Sequence, residues 1–427
     1  MVKWKHADVS MAKQSEVILQ TLHAHGFEAY WVGGCVRDEL MGRAVHDMDL
    51  TTSAHPEEII RLFEHTIPTG IQHGTITVMM EGQPFEVTTY RVEGTYIDHR
   101  RPDEVTFVKD IKEDLQRRDF TMNAIARDLD GTYIDPFDGL MDTRRGKIRC
   151  VGNPLERFDE DALRMVRCVR FASVFGYSIA KNTWKGLCTQ RSHLQYIAME
   201  RIRVEIEKVM SGEDPLRGFE LLNRSRLLEF AKVPVLCSRF DSELLSRIHE
   251  LSAESVHLRW GLLLYAGNFN GNEARTYLKK WTFSNQKKDD ISSLIDIDEQ
   301  VRFLFETNNL ISLDDSQRLS WISIVLQSGL ATAKGWLEIQ GVIPEHRRVV
   351  STYDLTILAV WTSQMRIHHL KQLVVSGGDI MQTLKMPSGP WLREMLQHLL
   401  LVVSAGIVEN TKESLMDEMK RVNKNHG

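Results

Sequence analysis

The residues in this sequence best suited to chemistry are a glycine pair and two alternating aspartates. Gly33 and Gly34 stand in YWVGGCVRDELMG, and Asp47 and Asp49 follow in VHDMDL. Backbone amides around a diglycine can close on a phosphate chain, because glycine has no side chain to hold the anion away. Paired carboxylates can hold Mg2+, a hard cation that takes oxygen ligands and shares its shell with substrate phosphates. Together the two pairs supply both halves of a phosphoryl-transfer site. His46 to Leu50 lies among apolar, strand-like residues, and side chains alternate faces along a strand. Asp47 and Asp49 are therefore expected on one face, roughly 6.5 Å apart. A D-x-D standing alone is more often a solvated strand edge, so its neighbours decide its meaning.

Those neighbours form a consistent frame. Glu28 to Val32 (EAYWV) reads as a short apolar strand, the diglycine breaks it, and Cys35 to Met41 reads as a short helix that Gly42 stops. A strand, a glycine turn and a helix start aim backbone amides at an anion, and Arg37 adds a fixed positive fork there. Thr75 to Arg91 reads as a hairpin of two β-branched runs around Glu81-Gly82-Gln83-Pro84. Glu86 lies in its second run. If that strand neighbours the aspartates, Glu86 becomes a third carboxylate able to help deprotonate an attacking hydroxyl; otherwise it is an ordinary solvated glutamate. Arg118 precedes Asp119, which is expected to cap a helix starting at Phe120.

A second motif lies far downstream, Asp161-Ala-Leu-Arg164-Met-Val-Arg167-Cys-Val-Arg170. Read as one helix, its charged groups fan across half the surface one turn apart, while Leu163, Met165, Val166, Val169 and Phe171 pack as core. An aspartate only accepts hydrogen bonds and an arginine only donates. Cytosine and adenine each present an exocyclic amine beside a bare ring nitrogen, so an Asp161–Arg164 pair is complementary to both. Uracil and guanine present a carbonyl and a ring N–H there, and each mismatched buried group costs about 1–3 kcal/mol.

GG-x-VRD, the D-x-D, RRDFTMNAIARD (Arg117 to Asp128), DPFDGLMDTRRGKIRCVG and ERFDEDALRMVRCVRFA resemble, in this order, the class II branch of the polymerase-β nucleotidyltransferase superfamily. That branch contains the tRNA CCA-adding enzymes and bacterial poly(A) polymerases. The resemblance implies an α+β fold class: a head of mixed sheet with helices at 1–148, followed by an all-α neck at 149–213, body at 214–330 and tail at 331–427. It implies template-independent addition of C, C and A to the 3′ end of tRNA from CTP and ATP, by a two-metal scheme with Mg2+ on Asp47 and Asp49. Gly34, Arg37 and Arg118 would then orient the nucleotide. Asp161 and Arg164 would choose the base, and Arg167 and Arg170 would contact the nucleotide. MERIRVEIEKVM resembles the neck motif that braces the reading helix, so Glu200, Arg201 and Glu205 are read as structural. Addition of A alone, and poly(A) synthesis on the same head, remain alternatives. An HD-type phosphohydrolase, raised by His46-Asp47, lacks further histidines for a metal set.

Composition agrees without deciding. At 427 residues and 42% hydrophobic the chain can build several domains, and its net charge of −5 leaves RNA binding to local patches such as His99-Arg100-Arg101. Five cysteines without C-x-x-C spacing argue against disulfides and structural zinc and suit the cytoplasm. No run is long enough to span a membrane, and DNA is not expected as a partner. Strand-like runs fill the first 150 residues or so. Helical patterns follow, and a turn at Pro387 to Pro390 is expected to open a helix.

Overall fold

In the computed structural model, which describes residues 3–94, 105–307, 313 and 317–425, helix α1 (Val9–Ala24) comes first. The Asp8 carboxylate starts it by accepting from the amides of Ser10 and Met11. Then follow β1 (Ala29–Val32), α2 (Gly34–Leu40), β2 (Leu50–Thr52) and α3 (Pro56–Leu62). Strands β3 (Thr66–Gly70), β4 (Thr75–Met80) and β5 (Gln83–Thr89) come next, and then a small pair of β6 (Arg91–Glu93) with β7 (Val105–Phe107). Helix α4 (Ile111–Gln116), β8 (Ala126–Arg127) and β9 (Tyr133–Ile134) complete this part.

The larger sheet has seven strands in the order β3-β4-β5-β2-β1-β8-β9, mixed because β2 and β5 run parallel. The expected hairpin is present as β4–β5. Glu81 and Gly82 both have positive φ, the two-residue turn whose twist matches flanking strands. Ile18, Leu19 and Leu22 of α1 pack with Trp31, Leu50, Ile76, Val78, Phe85 and Val87 on one face of the sheet. Ser15 sits inside that layer and accepts from the indole N–H of Trp31 at 2.9 Å, so each of these two buried groups has a partner. On the other face, Val32, Ala124 and Ala126 pack under Ile111 and Leu115 of α4.

Helices take over beyond the sheet: α5 (Gly139–Arg144), α6 (Pro154–Glu160), α7 (Leu163–Phe175), α8 (Lys181–Gln190), α9 (Met199–Met210) and α10 (Pro215–Ser225). Two short strands, β10 (Lys147–Ile148) and β11 (Ser178–Ile179), pair in parallel between them. The chain divides into two compact units, Met1–Ser238 and Arg239–Gly427. The second is helical throughout its described residues. One of its aromatic centres has Trp260 edge-on to Trp281 and Phe283. Gly389 caps the helix Pro390–Ser404, as the proline-rich turn predicted. Among the described residues no helix is long and apolar enough to cross a membrane. An α+β N-terminal region followed by a helical remainder is thus the observed fold class. His99-Arg100-Arg101 lies outside the described residues.

Candidate active site

The glycine turn and the aspartates meet at the end of β1. Gly33 caps α2 with φ 74° and ψ −123°, a conformation that L side chains rarely adopt. A Cβ there would sit 3.1 Å from Arg118 Nη1 and 3.8 Å from Asp49 Oδ2. A Cβ on Gly34 would sit 3.6 Å from Asp47 Oδ1 and 3.8 Å from Arg37 Nη2. Both glycines therefore keep open the space between carboxylates and guanidiniums.

Asp47 and Asp49 are not inside a strand. They lie in the extended segment just before β2, because Val45 makes only a single bridge to Ala7 and regular pairing begins at Leu50. The expected alternation survives: Met48 is buried in the core, Asp47 is exposed and Asp49 half-buried. Glu86 stands on β5 beside them, since Leu50 pairs with Val87. Burial raises the Asp49 carboxyl to about 6, helped by the charges of Asp47 and Glu86 and opposed by Arg118 and Arg37. Among the described residues no group of three or more His, Cys, Asp or Glu closes on one ion. Two carboxylates whose mutual repulsion the arginines offset only in part nevertheless have the oxygen donors of a Mg2+ site, since that ion takes one or two protein carboxylates and completes its shell with phosphates and water.

A cleft of about 330 Å³ joins Gly33, Gly34, Arg37, Asp49 and Arg118 to Asp161, Arg164 and Arg167. Seven residues predicted from sequence, with Gly33, thus line one space. Asp47 and Glu86 stand next to it. Arg118 is held by Asp114, a fully buried carboxylate on α4 that also binds Arg117.

Asp119 departs from expectation. No regular helix starts at Phe120, only a single 3-10 turn over Thr121–Asn123. The Asp119 carboxylate instead accepts from the Phe120 amide and the Asn123 side chain, each at 2.8 Å. It also receives Arg167 Nε at 2.8 Å and Nη2 at 2.6 Å. Burial alone would push this carboxyl up, but Arg167 and the bond from Asn123 outweigh burial and hold it down at about 2.

The downstream motif is not one helix. Asp161 ends α6, and α7 begins after Ala162. Asp161 Oδ1 accepts from the Leu163 amide, as a cap does, and Oδ2 accepts from Arg201 Nη2 at 3.0 Å. Arg164 is buried, donating to Glu160 at 2.6 Å and to the Arg117 carbonyl at 3.0 Å. Arg170 stands outside the cleft lining: it pairs with Glu205 of α9 at 2.6 Å and lies 3.9 Å over the Phe171 ring. The cause is helical phase, since two three-residue steps carry Arg170 away from Arg164. Arg117, Asp119, Asn123 and Arg201 also line the cleft, beyond the site residues that the sequence motifs single out. The available signals were the Asp119/Asn123 spacing of four and the Asp114/Arg118 spacing of four.

Comparison with known proteins now decides the family. Residues 29–149 match the poly A polymerase head domain, 176–237 the probable RNA and SrmB-binding site of polymerase A, and 251–419 a putative tRNA nucleotidyltransferase domain 2. The chain is 38% identical over 415 residues to the CCA-adding enzyme of Staphylococcus aureus, covering 96% of this chain and 98% of that one. It belongs to the class II CCA-adding enzymes. It is also 37% identical over 412 residues to the CCA-adding enzyme of Enterococcus faecalis, with 96% of each covered. The crystal structure of the Bacillus stearothermophilus CCA-adding enzyme in complex with CTP matches with a TM-score of 0.80 and 32% identity, covering 97% of this chain and 98% of that one. The enzyme is a CCA tRNA nucleotidyltransferase, and the readings as an A-only enzyme or a poly(A) polymerase give way.

The Asp119 ion pair has an acid signature. Its folded pKa of about 2 lies below the usual 3.8, so its stabilisation is complete above pH ~4 and is lost as pH falls through about 2. Asp119→Asn should remove on the order of 2 kcal/mol near neutral pH and flatten the loss of melting midpoint between pH ~4 and ~2. A melting profile as steep as that of the parent enzyme in this window would contradict the assignment.

Proposed function

We propose that this cleft carries out CCA addition with Asp47 and Asp49 as the ligands of Mg2+ and with Asp161 and Arg164 as the readers of the base. In the reaction, the 3′-hydroxyl of tRNA gives up its proton to water on the Glu86 side and attacks the α-phosphate of CTP or ATP; a new O–P bond forms, the bond to the β-phosphate breaks and pyrophosphate leaves. Bound Mg2+ supplies neutralisation of the phosphate charge and acidifies the attacking hydroxyl. The single observation carrying the proposal is that Asp49, the glycine turn, Arg118, Asp161 and Arg164 line one cleft although more than a hundred residues separate Asp49 from Asp161.

The chain's own groups have distinct tasks. Gly33 and Gly34 leave room for the triphosphate, and Arg118, fixed by Asp114, offers it positive charge. Arg37 lends positive charge from farther back, because Asp38 and Asn123 already hold its guanidinium. Glu86 faces the side from which the hydroxyl arrives. Each oxygen of Asp161 keeps a lone pair beyond the bond it already accepts, enough to take the amine of cytosine or adenine. Arg164, clamped by Glu160 and the Arg117 carbonyl, presents the donor side. Arg167 joins the reading wall to the head, and Arg170 acts on the nucleotide only through α7 and α9. On this reading residues 1–148 serve as catalytic head, 149–213 as base-reading neck, 214–330 as body and 331–427 as tRNA-binding tail. The five free thiols suit work in the cytoplasm.

Two substitutions separate the tasks. Asp49→Ala should abolish incorporation of both nucleotides while tRNA binding stays near that of the parent enzyme; extension of tRNA by the variant would refute the metal role. Asp161→Ala should keep transfer but admit UTP and GTP, raising their incorporation relative to CTP by about tenfold or more. Unchanged rejection of UTP and GTP in single-nucleotide extension would sink the base-reading role.

A further inference from the structure

The sheet face beside the carboxylates continues as a row of hydroxyls. Along β5, Phe85 and Val87 point into the core, so Glu86 and Thr88 point the other way. Along β4, Ile76 and Val78 point into the core, so Thr75 and Thr77 share the face of Glu86. Thr77 pairs directly with Glu86, and Thr75 with Thr88. On the edge strand β3, Thr69 Oγ1 lies 2.9 Å from Thr77 Oγ1. Asp49, Glu86, Thr77 and Thr69 therefore form one line across the sheet, in strand-to-strand steps of about 5 Å.

Threonine suits strands on propensity alone, but so does valine, which leaves no hydroxyl to satisfy. Thr77 is 7% exposed, and its hydroxyl finds its partner on the neighbouring strand in Thr69. Thr69 is exposed, and its hydroxyl can take a further partner beyond Thr77. Glu86, also exposed, makes no hydrogen bond or ion pair among the described residues.

In an in-line displacement the attacking and leaving oxygens stand on opposite sides of phosphorus. The cleft that takes the nucleotide lies on the side of Gly33, Arg118 and Asp161. The attacking hydroxyl must then come from the Glu86 side, and the ribose that carries it rests over the threonine row. An RNA end bears a 2′-hydroxyl beside the attacking 3′-hydroxyl, and that group both donates and accepts.

We propose that Thr69, held in place by Thr77, positions the terminal ribose of the acceptor RNA through its 2′-hydroxyl, so that this edge of the sheet selects RNA ends over DNA ends. The inference rests on the carboxylate reading above. Thr69 and Thr77 are positioning residues, because bond making occurs at Asp49 and Glu86.

The test uses the full-length enzyme and two acceptors, a tRNA lacking its terminal A and the same tRNA ending in a 2′-deoxy residue. The ratio of kcat/KM on the two ends should favour ribose in the parent enzyme. Thr69→Val should shrink the ratio by about tenfold, the weight of one hydrogen bond, with KM for ATP unchanged; Thr69→Ser should restore it. Thr77→Val should shrink it in the same direction by releasing Thr69. A ratio that Thr69→Val leaves intact, or activity that falls equally on both ends, overturns the proposal, as does a parent enzyme indifferent to the 2′-hydroxyl. Failure of the carboxylate reading shows separately, as activity on either end in Asp49→Ala.

Discussion

The Asp119–Arg167 ion pair is the constraint on which the rest of the site depends. It joins the segment after α4 to the middle of α7, with the carboxylate almost fully buried and every partner charged or hydrogen-bonded. A buried carboxylate without its arginine would leave an uncompensated charge, a loss of about 3–5 kcal/mol. The pair also belongs to a longer chain. Asp38 holds Arg37, Arg37 donates to Asn123, Asn123 donates to Asp119, and Asp119 holds Arg167. One polar network thus runs from the helix behind the glycine turn to α7 on the opposite wall of the cleft. Arg37 also lies 5.4 Å over Phe171 and 5.0 Å over Phe175, so the aromatic side of α7 supports the same joint.

This joint explains how two distant motifs make one site. One wall of the cleft carries the glycine turn, Asp49 and Arg118, which we assign to the phosphates; the other carries Asp161 and Arg164, which we assign to the base. Base choice has meaning for catalysis only if the distance between these walls is fixed. Arg164 reinforces the tie by donating to the carbonyl of Arg117, the residue next to Arg118. The cleft's other wall keeps its own tension, since burial, and then the charges of Asp47 and Glu86, push Asp49 up to about 6. Under the proposed roles, the crowded carboxylates favour a divalent cation and the fixed Asp161–Arg164 wall favours an amine-bearing base.

Much of this was legible in the sequence because the relevant signals are local. The glycine turn, the hairpin around Glu81-Gly82 and the alternation of Asp47, Met48 and Asp49 follow from backbone preference and strand period, and all three appear in the structure. The neighbouring position of Glu86 does not follow from the sequence, since sheet order is non-local; the parallel pairing of β2 with β5 supplies it. Asp119 escapes a local reading for the same reason. A short polar residue before an apolar run looks like a cap, and nothing local reveals an arginine 48 positions away. The motif reads as one continuous helix, yet the break at Asp161 and Ala162 frees the carboxylate for Arg201, and helical phase within α7 turns Arg170 toward Glu205.

The central claim, that one buried pair fixes the two walls of the cleft, is tested most directly by a double-mutant cycle. Asp119→Asn, Arg167→Gln and the double variant would be compared with the parent enzyme in kcat/KM for CTP on tRNA. A shared joint predicts strong non-additivity, with a coupling of about 1–3 kcal/mol and a double variant little worse than either single one. Additive losses, with the double variant as slow as the product of the two, would show that the residues act independently and would contradict the account.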